Sequence, residues 1–246
     1  MRALKSLFAP VRRPPTVLIV GHSHISCVAR AVPAELRDRV ETINLHESKA
    51  FLDERSGAVD KSGLKTPKPS ALCLCLAGNY HNQIGLLEHP QKFGFGLASG
   101  ALPDMASRRV IPYAVIKDQF EIHYRRFGHL IRYLHAAFPK ATPIHLNPPP
   151  PINDWDHIKQ RPGIFRKMLP LGLLPAAMRL ELYEMQTEIH RDFARTHDAT
   201  FITTPDQARD ADGFLASGFK GDATHGSTAY GRLMLEQINS LVGIKP

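Results

Sequence analysis

The chain has 246 residues, 43% of them hydrophobic, and this length and composition suit one globular domain. No run approaches the roughly 18 apolar residues of a membrane-spanning helix, and the first apolar run, residues 17–20, is too short for a signal-peptide core. The net charge of +8 comes from scattered lysines and arginines without aromatic-interleaved basic motifs, which argues against a nucleic-acid-binding surface.

The chain begins with a basic, proline-containing stretch, residues 1–14, which we expect to form a loose arm before a single domain over residues 15–246. Five short apolar runs bounded by turn residues are predicted strands: 16–20, 40–45, 71–76, 143–146 and 199–203. Two further stretches show apolar residues at helical spacing. One comprises Phe120, Phe127, Ile131, Leu134 and Phe138, and the other Met178, Leu182, Met185, Ile189 and Phe193.

The alternation of strands and helices predicts an α/β fold, a parallel sheet covered by helices on both faces. In such a sheet the functional site lies beyond the carboxyl ends of the strands. Two long, turn-rich segments, about 47–69 and 83–112, fit no regular element and are candidates for substrate selection. The three cysteines, an odd number, are expected to be free and buried, which favours a cytoplasmic location.

Three predicted strand ends have residues that suit nucleophilic catalysis. Ser23 follows the first strand at a strand-to-helix turn, where its hydroxyl is exposed to attack a substrate. Asn79 follows the third strand, and its amide is a candidate donor to an oxyanion. After the last strand, Asp222 and His225 are one helical turn apart, so the carboxylate orients the imidazole as a base. Together they supply a nucleophile, an oxyanion donor and an oriented base.

On these motifs the chain resembles the SGNH, or GDSL-type, hydrolases. The early block is matched by Gly21-His22-Ser23-His24, and the late Asp-x-x-His block by Asp222-Ala223-Thr224-His225. The sequence differs from the family where His22 replaces an aspartate and where Asn79 directly follows Gly78. For the family's second-block glycine, both Gly57 and Gly63 are candidates.

The resemblance implies a three-layer α/β/α sandwich, a flavodoxin-like SGNH fold with about five parallel strands. It implies a serine esterase with a triad of Ser23, His225 and Asp222, and an oxyanion hole of Asn79 and the Ser23 backbone amide. No metal or cofactor is expected, and the expected partner is a small polar ester such as an acylated sugar. His22, His81 and Asn82 are expected to contact the substrate.

Other functions remain open at this point. Thirteen histidines provide ligands for a metal-dependent phosphoesterase, although no early Asp-x-His pair accompanies them. The His22 substitution also allows a non-catalytic, glycan-binding protein on the same scaffold. An acyltransferase, in which a sugar hydroxyl replaces water, would use the same triad.

Overall fold

The computed structural model describes residues 14–98, 100 and 107–244. The predicted N-terminal arm therefore lies outside the described residues except for its last residue, as do residues 99 and 101–106 of the second predicted loop.

The strands form one large sheet and one small one. In chain order they are β1 (Val17–Gly21), β2 (Val40–Asn44), β3 (Ala71–Cys75), β4 (Phe93–Gly94), β5 (Arg109–Val110), β6 (Thr142–Leu146) and β7 (Thr200–Ile202). The large sheet has the order β2-β1-β3-β6-β7, and all its neighbours are parallel. The five predicted strands are therefore confirmed, and this strand order is that of a flavodoxin-like, doubly wound sheet. The strands β4 and β5 pair with each other inside the segment predicted as a loop.

Seven α-helices surround the sheet in the described part of the chain. They are α1 (Ile25–Ala31), α2 (Tyr80–Gly85), α3 (Tyr113–Arg125), α4 (Gly128–Ala137), α5 (Trp155–Gln160), α6 (Ala176–Thr196) and α7 (Thr228–Val242). The second predicted stripe lies on α6. The first is divided between α3 and α4, because the chain turns at Phe127, whose amide donates to the Tyr124 carbonyl. Within the described residues, no helix has the length and apolar character needed to cross a bilayer.

The core lies on both faces of the sheet. Side chains alternate along each strand, so Ile19 and Cys73 face α1 and α7 while Leu18 and Leu72 face α4. Both sets are buried, which is why these strands are continuously apolar in sequence. All three cysteines are free and buried, as predicted.

Close packing of α1 against α7 brings the early and late motifs together. A Cβ added to Gly231 in α7 would overlap the backbone of Cys27 in α1, so only glycine permits this approach. Because α1 begins two residues after Ser23 and α7 begins three residues after His225, this contact fixes the two motifs at one edge of the sheet.

Candidate active site

Ser23 lies in the turn between the carboxyl end of β1, which is paired with β2 on one side and β3 on the other, and the start of α1. The strand ends at Gly21, where an added Cβ would lie 2.5 Å from the Cys75 carbonyl oxygen of β3, so the turn starts where two strands approach closely. The Ser23 side chain is half-buried. No described residue accepts a hydrogen bond from its backbone amide. Ser23 therefore presents a hydroxyl and an amide donor at the same point.

The hydroxyl of Ser23 contacts the imidazole of His225. The distance from Ser23 Oγ to His225 Nε2 is 2.8 Å, although the residues are 202 positions apart in sequence. The other ring nitrogen, Nδ1, lies 2.8 Å from Asp222 Oδ1 and 2.9 Å from Oδ2. With Nδ1 donating to the carboxylate, Nε2 is left as an acceptor for the serine proton.

The Asp222 carboxylate is held by its own loop. Its Oδ1 accepts the backbone amides of Thr224 and His225, both at 2.9 Å. Burial of Asp222 would raise its pKa, but the His225 ring and these amides outweigh burial and hold the pKa well below its usual range. The group is therefore a carboxylate at neutral pH, and it orients His225 in the tautomer that leaves Nε2 as an acceptor.

Asn79 follows β3 in an unusual turn. Ala77 and Gly78 both have positive φ angles, 67° and 59°. Such a φ favours glycine, and Ala77 is one of three non-glycine residues among the described ones that adopt it. The carbonyl of Ala77 accepts from His123 Nε2 at 2.9 Å, and that of Gly78 accepts from Gln186 Nε2 at 3.1 Å. These bonds hold the turn in place.

The side chain of Asn79 lies beside His24 and does not cap its own helix. It makes no capping hydrogen bond to α2. It lies instead beside the ring of His24, whose centroid is 4.5 Å from that of His225. Asn79 is thus on the same side of the sheet edge as His225, separated from it by one buried imidazole.

Two of the three predicted substrate contacts are buried. His81 is 2% exposed and Asn82 is 1% exposed, because both lie in the first turn of α2, which packs beneath α6. The backbone amide and the Nδ1 atom of His81 both pair with Gln186 Oε1, at 2.8 and 3.1 Å. This burial argues against a direct substrate contact by either side chain, and we treat them instead as internal support for the Asn79 turn.

The third predicted contact, His22, is half-buried in an aromatic cluster. Its ring centroid lies 4.8 Å from that of His46 and 5.7 Å from that of Phe127. Burial, and then the nearby imidazoles of His46 and His123, lower the pKa of His22 to about 4. The ring is therefore neutral near pH 7.

Neither candidate for the second-block glycine is favoured by the structure. The Gly57 amide already donates to the Asp53 carbonyl at 2.8 Å. Gly63 is exposed in a turn, and a Cβ added there would have no neighbour within 4 Å.

An open cavity of about 650 Å³ borders the triad. Ser23, Asp222 and His225 line it, and its other lining residues include four basic ones: Arg30, Arg161, Arg166 and Lys220. Residues 47–69 and 83–112 contribute none of the described lining residues, so the prediction that these long segments select the substrate is not supported for this cavity. These basic residues form no recognisable motif in the sequence, because they come from three separate segments of the chain.

Within the described residues, no group of three or more histidine, cysteine, aspartate or glutamate side chains is arranged to hold a metal ion. The thirteen histidines instead include several that are buried as neutral rings.

These buried histidines predict that the fold loses stability in acid. Burial lowers the pKa of His81 to about 3, of His190 to about 3 and of His145 to about 2. In the unfolded chain these three histidines bind protons near pH 6.5, whereas in the folded chain they remain neutral at that pH. The stability that they contribute is therefore fully present above pH 6.5 and falls as the pH drops toward 3. We expect each ring to contribute a slope of up to about 1.4 kcal/mol per pH unit in this window.

Denaturant unfolding at several pH values between 7.5 and 4.5 measures this slope. His190→Gln should reduce it, whereas the matched change His89→Gln, at an exposed histidine, should leave it unaltered. A free energy of unfolding that does not change over this range would contradict the prediction.

Comparison with solved structures places the fold. A GDSL-like lipase from Bacteroides thetaiotaomicron matches with a TM-score of 0.52 and 11% identity, over 96% of this chain and 92% of that one. A protein described as a platelet activating factor from Streptococcus pneumonia matches with a TM-score of 0.51 and 12% identity, over 94% and 86%. A proposed acylhydrolase from Bacteroides fragilis matches with a TM-score of 0.50 and 11% identity, over 94% and 90%.

No protein-family model matches the sequence, and no curated protein matches it. The structural matches extend over nearly the whole chain, and they show that it has the α/β fold of the GDSL-type, or SGNH, hydrolases.

Proposed function

We propose, from this fold and from the contact between Ser23, His225 and Asp222, that the chain is a serine ester hydrolase. The observation that carries the proposal is the 2.8 Å distance between Ser23 Oγ and His225 Nε2, with Asp222 on the opposite ring nitrogen. A nucleophile within hydrogen-bond reach of an oriented base is the arrangement that activates serine. The cavity beside it opens to solvent and admits a substrate.

The reaction proceeds through a covalent ester. His225 Nε2 takes the Ser23 proton as Oγ bonds to the carbonyl carbon of the substrate, and the carbonyl electrons move onto its oxygen. When this tetrahedral species collapses, the bond to the alcohol breaks and His225 returns the proton to the departing oxygen. Water, deprotonated by His225, then attacks the acyl group and releases a carboxylic acid and free Ser23. Asp222 stabilises the charged imidazole in each step.

The oxyanion hole in this mechanism consists of the Ser23 backbone amide and the Asn79 side chain. The Ser23 amide supports this role because it has no acceptor within the described chain. The Asn79 side chain supports it because it is not used to cap α2 and lies beside His24. Buried His81 and Gln186 hold the turn, which keeps the donor in place before the substrate binds.

Replacing Asn79 with alanine should lower kcat by roughly 10²-fold to 10³-fold, because one donor to the developing negative charge is lost. KM should change much less, since the interaction strengthens only in the transition state. Steady-state kinetics with an aryl acetate measures both constants. Gln83→Ala, an exposed change on the same helix, is the matched control. Equal kcat values in the two variants would contradict the proposed role of Asn79 in the oxyanion hole.

The substrate we propose is a small, polar ester such as an O-acylated carbohydrate. Most of the residues that line the cavity are polar or charged, and its volume is in the range of small-molecule sites. A panel of aryl acetates, acetylated sugars and long-chain acyl esters tests the function and this preference together. Release of free acid from the sugar esters is expected, and a protein that hydrolyses none of the panel would contradict the proposal.

A further inference from the structure

The cavity beside the triad is strongly basic. Lys220 and Arg161 are held in its wall: the Lys220 ammonium lies 2.9 Å from Asp154 Oδ2, and the Arg161 guanidinium donates to the Gly221 carbonyl at 3.2 Å. Arg30 and Arg166 are exposed, and neither side chain forms a hydrogen bond or ion pair with another described residue. These two guanidinium groups are therefore available to a ligand.

Little negative charge opposes these cations. Among the described residues that line the cavity, Asp222 is the one carboxylate, and it is engaged with His225. Asp154 neutralises Lys220 from outside the lining. The guanidinium groups of Arg30, Arg161 and Arg166 therefore leave a positive potential at the mouth of the site, where it attracts anions.

The position of His225 indicates which part of an ester occupies this cavity. In the proposed mechanism the departing alcohol oxygen receives its proton from His225, so the alcohol portion lies on the side of that ring. His225 is itself part of the cavity wall, and so is Ser23. The alcohol portion of the substrate therefore lies close to the basic side chains.

We propose that this site selects esters whose alcohol portion carries an anionic group, a carboxylate or a phosphate, such as O-acylated acidic sugars. Arginine suits both groups, because its planar guanidinium donates two parallel hydrogen bonds to a carboxylate or phosphate. The inference rests on the proposed function, since it states where the alcohol portion of the substrate binds in that reaction.

A matched pair of substrates tests the preference. An acetylated methyl glucuronide and the acetylated methyl glucoside differ only in having a carboxylate or a hydroxymethyl group. We expect kcat/KM for the glucuronide to be about tenfold higher at low ionic strength, and the preference to shrink in 1 M salt because the charges are then screened. The kcat/KM for the acetylated methyl glucoside 6-phosphate, compared with that for the glucuronide, shows whether the site prefers a phosphate or a carboxylate.

Paired variants test whether the cavity arginines cause this preference. The double variant Arg30→Gln with Arg166→Gln should bring the ratio of the two kcat/KM values close to one. Arg37→Gln with Lys167→Gln removes the same charge from exposed residues outside the cavity, and it should keep the ratio of the unmodified protein. If the ratio falls equally in both double variants, the preference comes from the net charge of the protein and not from the cavity arginines, and the proposed anion site is wrong.

Binding to the Ser23→Ala protein separates this inference from the proposed function. Calorimetry should show tighter binding of the glucuronide ester than of the glucoside ester, and the Arg30→Gln, Arg166→Gln changes should abolish the difference. If the unmodified protein hydrolyses both esters with equal kcat/KM, and the Ser23→Ala protein binds both equally, the anionic preference is overturned while the hydrolase stands. If the Ser23→Ala protein binds the glucuronide ester selectively but the unmodified protein hydrolyses neither ester, the anion site is supported and the proposed function is contradicted.

Discussion

Ser23→Ala is expected to lower ester turnover by roughly 10⁴-fold to 10⁶-fold, because the variant lacks the atom that forms the acyl bond. The loss should appear in kcat, and the free energy of unfolding should change little, since the Ser23 hydroxyl forms one hydrogen bond within the described residues, to the His225 ring. Steady-state hydrolysis of an aryl acetate, with unfolding measured on the same samples, provides the two readouts.

The control for this change is Ser62→Ala, at an exposed serine in the loop before β3. It makes the same chemical change far from the triad in sequence, and it should leave turnover within about twofold. If Ser23→Ala keeps a turnover close to that of Ser62→Ala, Ser23 is not the nucleophile.

The second large effect is expected for Asp222→Asn, which should lower kcat by about 10⁴-fold. The asparagine oxygen still accepts the backbone amides of Thr224 and His225, so the loop should remain folded. Its amide group, however, donates where the carboxylate accepted, which favours the tautomer with the proton on His225 Nε2. That nitrogen can then no longer accept the proton of Ser23.

Asp60→Asn is a matched control because Asp60 Oδ1 also accepts a backbone amide, from Ser62 at 2.8 Å, in an exposed turn. It should retain full activity. Hydrolysis rates for the two variants, measured at the same pH, make the comparison. An Asp222→Asn protein that is as active as Asp60→Asn would show that the carboxylate does not orient the base.

The strands, and the contact between Ser23, His225 and Asp222, could be predicted from sequence because most of their signals are local. A strand buried on both faces must be apolar at every position, so the runs at β1 and β3 are visible without any tertiary information. Asp222 and His225 are three positions apart, and this spacing alone brings the carboxylate to the imidazole. To predict that Ser23 lies near His225, one further inference was needed: the carboxyl ends of parallel strands lie at the same edge of the sheet.

Other features depend on packing that no local pattern records. His81 and Asn82 are polar residues next to a predicted strand end, but α6 covers them, so their burial follows from a contact more than 100 residues away in sequence. The positive φ of Ala77 is equally hidden, because alanine gives no sign of a left-handed conformation.

The clustering of basic residues around the cavity also could not be predicted from the sequence. Arg30 lies in the last turn of α1, Arg166 lies in a 3₁₀ helix after α5, and Lys220 precedes the Asp222 loop. Each is an ordinary surface residue in its own segment. They form a site only because α1 and the loops at the carboxyl edge of the sheet meet around the triad.

The most direct test of the account is labelling of the purified protein with a fluorophosphonate probe, followed by mass spectrometry of its peptides. An activated serine displaces fluoride and forms a stable phosphonyl ester. We predict one adduct per chain, on the peptide that contains Ser23, with no adduct at that site in Ser23→Ala and slow labelling in Asp222→Asn. A folded protein that remains unlabelled, or that is labelled at another serine, would contradict the account.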